Sequence, residues 1–328
     1  MYLTSLTVYN RMVGMIEVRC GDALEVLKGM SECSVQCCVT SPPYWGLRDY
    51  GIEGQLGLER TPDEYVARMV GVFREVRRVL RDDGTLWLNL GDSYAGGGNY
   101  RGVHSEDTLS EKQRSNGGAR GVSQLLGAAG KDFGLEPKNL VGIPWRVALA
   151  LQADGWYLRQ DIIWSKPNPM PESVTDRCTK AHEYIFLLTK SASYYYDNEV
   201  IKENCVTPLD SKAQQGFSKN YDGKLAHSNH AGEFVEKREF RNKRSVWTVP
   251  TLPYSEAHFA TFPPDLIKPC IMAGSKPGDT ILDPFGGSGT TGMVAIELGR
   301  KAVLIELNPE YIKLINKRTH VTPGLALA

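Results

Sequence analysis

The sequence predicts an α/β fold in which helices cover both faces of a mostly parallel sheet. Short apolar runs, such as residues 35–39 and 85–90, alternate with segments of helical periodicity, such as residues 61–80. Units of this kind imply parallel strands that are joined by right-handed crossovers. A second group of predicted strands and helices lies near the end of the chain, at residues 280–318.

In the first half of the chain, the predicted helices have recognisable starts. Asp22 is a favoured N-cap, and Thr61 precedes a proline and two acidic residues that suit the helix dipole. The segment Asp82–Gly84 predicts a turn, and residues 1–14 fit no periodic element. The predicted elements are a strand at 16–20, a helix at 23–30, a strand at 35–39, a helix at 61–80 and a strand at 85–90.

The second half is less regular. Residues 94–131 contain nine glycines and few bulky apolar side chains, which predicts a mobile loop that either closes over a substrate or is a passive insertion. Residues 200–242 are rich in polar side chains and lack clear periodicity. The predicted elements are a helix at 143–151, strands at 156–164, 182–189 and 194–197, a helix at 262–273, a strand at 280–283, a helix at 288–298, a strand at 302–306 and a helix at 308–318.

The composition is that of an ordinary globular protein, with 41% hydrophobic and 23% charged residues and no net charge. No apolar run is long enough to span a membrane, and no signal peptide is recognised. The seven cysteines form no regular framework, which indicates a reducing cytoplasm. We expect Cys33, Cys37 and Cys38 to be small core residues, and we expect no metal site.

The stretch T-S-P-P-Y-W, residues 40–45, directly follows the first buried strand. Two consecutive prolines end a strand, because they can neither continue the ladder nor enter a helix. Ser41, Pro42 and Tyr44 therefore lie at the carboxyl edge of the sheet, where open α/β folds bind ligands. An amino group could donate to Ser41 Oγ and the Pro42 carbonyl while its ring stacks on Tyr44. Alone, the stretch is better explained as a proline-stiffened turn.

A glycine-rich stretch, D-P-F-G-G-S-G-T-T-G at residues 283–292, lies between a predicted strand and a predicted helix. It contains G-x-G-x-x-G, and Glu306 ends the following strand, where an acid can hydrogen-bond ribose hydroxyls. The pattern predicts a nucleotide-type cofactor site. An NAD-dependent oxidoreductase is therefore the alternative from another class, whereas the missing P-loop lysine disfavours an NTPase.

Together, S-P-P-Y at 41–44 and F-G-G-S-G at 285–289 resemble the DNA amino-methyltransferases that use S-adenosylmethionine. Since the S-P-P-Y stretch comes first, the chain resembles the permuted beta group of that family, of the N4-cytosine type. The resemblance implies a Rossmann-like S-adenosylmethionine-dependent methyltransferase fold that is circularly permuted and carries a small target-recognition region. The D-P-F stretch and Asn308-Pro309 favour it over the oxidoreductase.

The resemblance also assigns the site residues. Ser41, Pro42 and Tyr44 are expected to be catalytic. Asp22 is expected near the adenine of the cofactor, Glu306 on its ribose, and two phenylalanines at its walls. The expected cofactor-binding residues are Asp22, Phe262, Asp283, Phe285, Gly287, Gly289, Thr290 and Glu306.

The implied reaction is direct transfer of a methyl group to N4 of a cytosine flipped out of double-stranded DNA. N6-adenine methylation is an alternative, because both amines present the same geometry to Ser41 and Pro42. Methylation of RNA or of a glutamine side chain, and a non-enzymatic DNA-binding module, are weaker alternatives. A basic run at 237–244 is expected to contact phosphates. The expected DNA-binding residues are Lys237, Arg238, Arg241, Lys243 and Arg244.

The expected organisation is an N-terminal extension, a catalytic half, a target-recognition region and a cofactor-binding half. These segments span residues 1–14, 15–199, 200–245 and 246–328. Lys166 and Asn168 are expected either to line the pocket for the target base or to form a structural loop. We expect a cytoplasmic enzyme of bacterial or phage origin, without a membrane partner, and a cognate restriction endonuclease is one candidate partner. The oligomeric state is not predicted.

Overall fold

The computed structural model describes residues 15–95, 134–205, 239–252 and 262–319, and the backbone of 11–13, 218–219 and 225–226. The chain divides into two compact units. The larger consists of Met1–Asp197 and Ser245–Ala328, and the smaller of Asn198–Arg244.

The strands are β1 Arg11–Val13, β2 Ile16–Cys20, β3 Val35–Thr40, β4 Leu80–Leu90, β5 Tyr157–Ser165, β6 His182–Thr189, β7 Glu203–Asn204, β8 Ser218–Lys219, β9 Leu225–Ala226, β10 Phe240–Arg241, β11 Val246–Thr248, β12 Thr280–Asp283 and β13 Lys301–Glu306. The α-helices are α1 Ala23–Lys28, α2 Pro62–Val79, α3 Ile143–Ala153, α4 Pro264–Gly274, α5 Thr290–Glu297 and α6 Pro309–Thr319.

The larger unit is built on a nine-stranded sheet in the order β1-β2-β13-β12-β3-β4-β6-β5-β11. β1 and β6 run antiparallel to their neighbours, and all other adjacent strands are parallel. The predicted mostly parallel sheet is therefore confirmed.

The order of the strands in the sheet differs from their order in the chain, in the way expected of a circular permutation. β12 and β13 come from the end of the described chain, yet they lie between β2 and β3. Ile281 of β12 lies opposite Cys37 of β3, and Ala302 of β13 lies opposite Ile16 of β2. The glycine-rich loop after β12 is thereby adjacent to the S-P-P-Y turn after β3.

Helices lie on both faces of this sheet, as predicted. Buried side chains of α1, α2 and α3 form one hydrophobic core with Cys38 and Leu86. On the other face, a Cβ atom on Gly274 of α4 would lie 2.8 Å from Cys37 Sγ and 2.6 Å from Thr85 Oγ1. The close approach of α4 to the sheet therefore requires glycine at this position.

The predicted helix starts are confirmed by their caps. Thr61 Oγ1 accepts a hydrogen bond from the Glu64 amide at 3.1 Å, and the Glu64 carboxylate accepts one from the Thr61 amide at 3.4 Å. Asp22 accepts from the Glu25 amide at 3.1 Å. These contacts satisfy amides that have no partner inside the helix.

The predicted turn at Asp82–Gly84 is wrong. β4 continues through these residues, which bulge out between the Val35–Leu80 and Cys37–Thr85 pairs. Two donors on the segment after β6 stabilise the bulge: Ser191 Oγ donates to the Asp82 carbonyl and the Tyr195 amide donates to the Asp83 carbonyl, each at 2.9 Å.

The predicted strand at 194–197 is also wrong. Its amides do not enter a ladder, since the Tyr195 amide binds the bulge and the Asp197 amide donates to the Ala273 carbonyl at the end of α4, at 2.9 Å. Conversely, the short strand β1 lies within residues 1–14, where no element is predicted. Cys37 and Cys38 are buried as expected, but Cys33 is exposed in a turn at a φ of 51°.

The smaller unit is described only in part. β7 pairs with β10, and β8 pairs with β9, both antiparallel.

In the described part of the chain, no helix is long and apolar enough to cross a bilayer. Across the same residues, no group of three or more His, Cys, Asp or Glu side chains is placed to hold a metal ion. Residues 96–131 of the predicted mobile loop lie outside the described residues.

Candidate active site

The carboxyl ends of five parallel strands lie at one edge of the sheet. Asp22 follows β2, Glu306 ends β13, Asp283 ends β12, Ser41 follows β3 and Asp92 follows β4. Polar side chains therefore collect at the edge where open α/β sheets bind their ligands.

A buried carboxylate joins the S-P-P-Y turn to the glycine-rich loop. Asp283 is 2% exposed. Its Oδ1 accepts from Thr40 Oγ1 at 2.6 Å and from the Phe285 amide at 3.0 Å, and its Oδ2 accepts from Thr291 Oγ1 at 2.6 Å. Burial raises the pKa of Asp283, while the hydrogen bonds from Thr291 and Thr40 oppose that rise. Thr40 directly precedes Ser41, so this contact fixes the distance between the two motifs.

The S-P-P-Y turn is also held by contacts with the segment that follows it, including α2. Tyr65 of α2 donates its hydroxyl to the Pro43 carbonyl at 2.9 Å, and the indole of Trp45 donates to the Glu59 carbonyl at 2.9 Å. Gly57 has a φ of 96°, and a Cβ there would lie 2.9 Å from the Tyr44 carbonyl. The turn is therefore a fixed part of the fold.

The hydroxyl of Tyr44 is the centre of a polar cluster. Ser41 Oγ donates to it at 3.2 Å, and it lies 2.7 Å from Glu183 Oε2 and 3.1 Å from Asn89 Oδ1. The ring packs against the backbone of Gly91, where a Cβ would lie 2.5 Å from the ring. Burial and the neighbouring Glu183 carboxylate raise the pKa of Tyr44 well above its ordinary value, so the hydroxyl keeps its proton at neutral pH.

Two further side chains hold Glu183 in place. Asn89 Nδ2 donates to Glu183 Oε2 at 3.2 Å and to the Tyr184 carbonyl at 3.0 Å. Lys166 Nζ forms an ion pair with Glu183 Oε1 and lies 4.2 Å from the centroid of the Trp164 ring. The cluster thus reaches from β3 across β4 and β6 to the end of β5.

The glycine-rich loop binds back to Glu306. Gly287 has a φ of 51° and Gly289 a φ of 79°, a conformation that side chains rarely adopt. The Gly287 amide donates to Glu306 Oε2 and the Asn308 amide to Glu306 Oε1, each at 2.7 Å. Burial raises the pKa of Glu306 to about 7. The site thus presents a carboxylate that titrates near neutrality.

Arg318 of α6 fixes the far side of this loop. Its Nη1 donates to Ser288 Oγ at 2.6 Å and to Thr290 Oγ1 at 3.0 Å. Beside Glu306, the rings of Tyr50 and Tyr311 meet edge to face, with centroids 6.5 Å apart. The loop after the S-P-P-Y turn therefore contacts the helix that follows β13.

The other predicted cofactor residues occupy several environments. Phe285 packs against the core, Phe262 is half-buried at the start of the α4 segment, and Asp22 caps α1. Asn168, expected either in the target-base pocket or in a structural loop, exchanges hydrogen bonds with the backbone of Thr251, at 2.9 and 3.1 Å. None of these contacts assigns the residues to a ligand.

The predicted DNA-binding residues belong to the smaller unit. Lys237 and Arg238 lie outside the described residues. Arg241 and Arg244 both bind Glu203 Oε1, at 2.8 and 2.5 Å. Their charges are therefore partly balanced within this unit.

Four contributors to the site are not predicted from the sequence: Asn89, Glu183, Thr291 and Arg318. Asn89 interrupts the apolar run of residues 86–90 in β4, and Glu183 directly precedes the apolar run of residues 184–188 in β6. These signals could have identified them. The roles of Thr291 and Arg318 follow only from the folding of distant segments onto the loop.

Taken together, the fold and this edge define a group-transfer enzyme of the nucleotide-cofactor α/β class, with a polar turn facing a glycine-rich loop. The DNA methylase family model N6_N4_Mtase matches residues 35–317. The chain therefore belongs to that family of DNA methylases. The resemblance seen in the sequence is confirmed, and the oxidoreductase alternative is excluded.

Relatives and solved structures agree with this assignment. Type II methyltransferase M.Cfr9I of Citrobacter freundii is 49% identical over 298 residues, covering 91% of this chain and 85% of that protein. M.SmaI of Serratia marcescens is 48% identical, covering 91% and 88%. The PvuII DNA methyltransferase (cytosine-N4-specific) shares the fold with a TM-score of 0.62 at 19% identity, covering 96% of this chain and 89% of that one. A DNA modification methylase of Thermus thermophilus, solved with S-adenosyl-L-methionine, has a TM-score of 0.55 at 22% identity, covering 95% and 96%.

Proposed function

We propose that this enzyme transfers the methyl group of S-adenosylmethionine to N4 of a cytosine that is flipped out of double-stranded DNA. The observation that carries the proposal is the hydrogen bond from Thr40 to Asp283, which holds the S-P-P-Y turn beside the glycine-rich loop. The S-P-P-Y form of the turn supports cytosine as the target. A fold neighbour bears the description cytosine-N4-specific, which agrees with this choice.

The residues of the glycine-rich edge fit S-adenosylmethionine. Glu306 offers carboxylate oxygens to a ribose diol, and Gly287 and Gly289 let the backbone approach the methionine part closely. Asp22 is proposed near the adenine, Asp283 near the amino end, and Phe262, Phe285 and Thr290 around the remainder. When bound, the cofactor supplies a methyl group on a sulfonium centre.

Ser41, Pro42 and Tyr44 are proposed to prepare the target amine. Its lone pair is delocalised into the cytosine ring, which makes it a poor nucleophile. Ser41 Oγ and the Pro42 carbonyl accept its two hydrogens, so that the nitrogen becomes pyramidal and directs its lone pair at the methyl group. Tyr44 stacks on the base, which offsets part of the cost of extruding it, by roughly 1–3 kcal/mol. Fixing this geometry can lower the barrier by up to roughly 7–11 kcal/mol.

The test of this function is product analysis. The protein is incubated with mixed-sequence duplex DNA and labelled S-adenosylmethionine, and the DNA is then digested to nucleosides. We expect the label in N4-methylcytosine. Label in N6-methyladenine would move the target to adenine, and unlabelled DNA would overturn the proposed activity.

Curated relatives are type II methyltransferases, so we also propose a bacterial cytoplasmic setting and a cognate restriction endonuclease that recognises the same DNA site.

Cofactor affinity is expected to rise as the pH increases from 6 to 8. Ribose hydroxyls donate to the ionised carboxylate of Glu306, whose pKa is about 7. Glu306→Gln should weaken binding and remove this part of the pH dependence. Isothermal titration calorimetry across the pH range measures both effects. An unchanged pH profile in Glu306→Gln would show that another group titrates.

The same raised pKa predicts the opposite trend for the stability of the cofactor-free protein. Folding disfavours the ionised form, so stability is lost as the pH rises from the unfolded-state pKa through about 7. Thermal unfolding at pH 5 and pH 8 checks this sign, with Glu306→Gln as the variant that lacks the effect.

The basic run is proposed to contact DNA phosphates. Replacing Arg241, Lys243 and Arg244 with alanine is expected to weaken duplex binding and to reduce the slope of log K against log salt by roughly 0.9 for each phosphate that the variant no longer neutralises. Fluorescence anisotropy at several salt concentrations measures the slope. Lys268→Ala, which removes a cation paired with Glu297 in the larger unit, serves as the control. Equal slopes for the triple variant and the control would place the DNA surface elsewhere.

A further inference from the structure

The polar cluster behind Tyr44 lies next to the proposed amine site but has no place in the function described so far. It connects Ser41 Oγ to Tyr44 Oη at 3.2 Å and Tyr44 Oη to Glu183 Oε2 at 2.7 Å. Each hydroxyl donates toward the next group, and the chain ends on a carboxylate, which can accept a proton. The hydrogen bonds are therefore oriented to carry a proton from Ser41 through Tyr44 to Glu183.

Glu183 is held in a fixed, partly buried position beside Tyr44. Lys166 and Glu183 are only 17% and 16% exposed, and their ion pair holds the carboxylate in place beside the Tyr44 hydroxyl. Asn89 binds the same oxygen that faces Tyr44, which fixes the direction of that lone pair. Lys180, whose Nζ donates to the Asp92 carbonyl at 3.0 Å, is a second cation near this group.

Methyl transfer creates a proton that has to leave. When the N–C bond forms and the C–S bond breaks, the nitrogen carries a positive charge and two hydrogens, of which it must release one. A serine hydroxyl is too weak a base to retain that proton. Ser41 can accept it only if its own proton moves on.

We propose that Glu183 is the terminal proton acceptor of the reaction and acts through Tyr44 and Ser41. While the N–C bond forms and the C–S bond breaks, the nitrogen releases one proton to Ser41 Oγ, Ser41 passes its own proton to Tyr44 Oη, and Tyr44 passes its own to Glu183 Oε2. The products are a neutral methylamino group, unchanged serine and tyrosine, and a carboxylic acid that later returns its proton to solvent. This inference rests on the proposed methyltransferase function.

The test is single-turnover methyl transfer by the full-length protein at saturating duplex DNA and labelled S-adenosylmethionine. Glu183→Gln retains an acceptor for the Tyr44 hydroxyl but cannot take up a proton. Tyr44→Phe removes one oxygen and interrupts the same path. We expect each single variant to slow the transfer about 100-fold or more, the low end of general acid–base contributions, with cofactor and DNA dissociation constants unchanged.

Non-additivity distinguishes a relay from two structural roles. Because both substitutions interrupt one path, the double variant should be no slower than the slower single variant. Glu17→Gln is the matched control, because Glu17 forms an ion pair of similar exposure with Arg19, at 19% and 22%, away from this cluster. It should transfer methyl groups at the wild-type rate.

Several results would overturn the relay. These are a wild-type rate in Glu183→Gln, multiplicative losses in the double variant, or a loss of binding that matches the loss of rate. If Glu183→Gln does not fold, Tyr44→Phe alone still tests the path, since a wild-type rate in it excludes proton transfer through that hydroxyl. If the wild-type protein methylates no DNA, the proposed function fails. If it does and the variants are equally fast, only the relay fails.

Discussion

Replacing Ser41 with alanine is expected to slow methyl transfer by about 100-fold or more, because an amine that is not held in position loses its alignment with the methyl group. Affinity for S-adenosylmethionine should change by less than about twofold, since the role proposed for Ser41 is on the target base and not on the cofactor. Single-turnover rates and calorimetric dissociation constants measure the two quantities separately.

Ser34→Ala is the control for this variant. Ser34 Oγ donates to the Ser31 carbonyl in an exposed turn before β3, so its loss leaves the S-P-P-Y turn intact. Parallel losses of rate and cofactor affinity in Ser41→Ala would contradict the assigned role, because they would indicate general disorder at the edge of the sheet.

Replacing Asp283 with alanine is expected to lower the free energy of unfolding by about 3 kcal/mol or more. The substitution leaves the Thr40 hydroxyl and the Phe285 amide without their acceptor, and it leaves the Thr291 hydroxyl only the Val39 carbonyl, at 3.4 Å. A buried unsatisfied donor costs roughly 1–3 kcal/mol. Cofactor binding should be lost as well, because the glycine-rich loop loses its attachment. Urea unfolding provides the first measurement and calorimetry the second.

Asp265→Ala provides the comparison. Asp265 is an exposed acid in the first turn of α4, where its interaction with the helix dipole contributes about 0.3–1 kcal/mol. Equal destabilisation by the two substitutions would show that the buried contacts of Asp283 do not hold the two motifs together.

The sequence predicts the sheet edge well because local signals mark its parts. Prolines stop β3 at Ser41, and glycines of positive φ form the loop after β12. The capping residues Asp22 and Thr61 place the helix starts correctly. Such features depend on a few neighbouring residues, so they can be predicted from the amino-acid sequence alone.

What the sequence does not reveal depends on contacts between distant segments. Glu183 gains its position from Lys166, Asn89 and Tyr44, which come from three other parts of the chain. Residues 194–197 have the composition of a strand, but the bulge in β4 and the end of α4 take its amides. Neither set of contacts can be predicted from local periodicity, although the polar residues Asn89 and Glu183 stand out in their strands.

The S-P-P-Y turn is tied to Asp283 behind it and to Tyr65 and Glu59 ahead of it. The conformational entropy of this corner is therefore lost during folding and not with each catalytic cycle. In the proposed reaction, an extruded base meets a surface that is already preorganised, so extrusion of the base is the step at which recognition of the DNA sequence can control the rate.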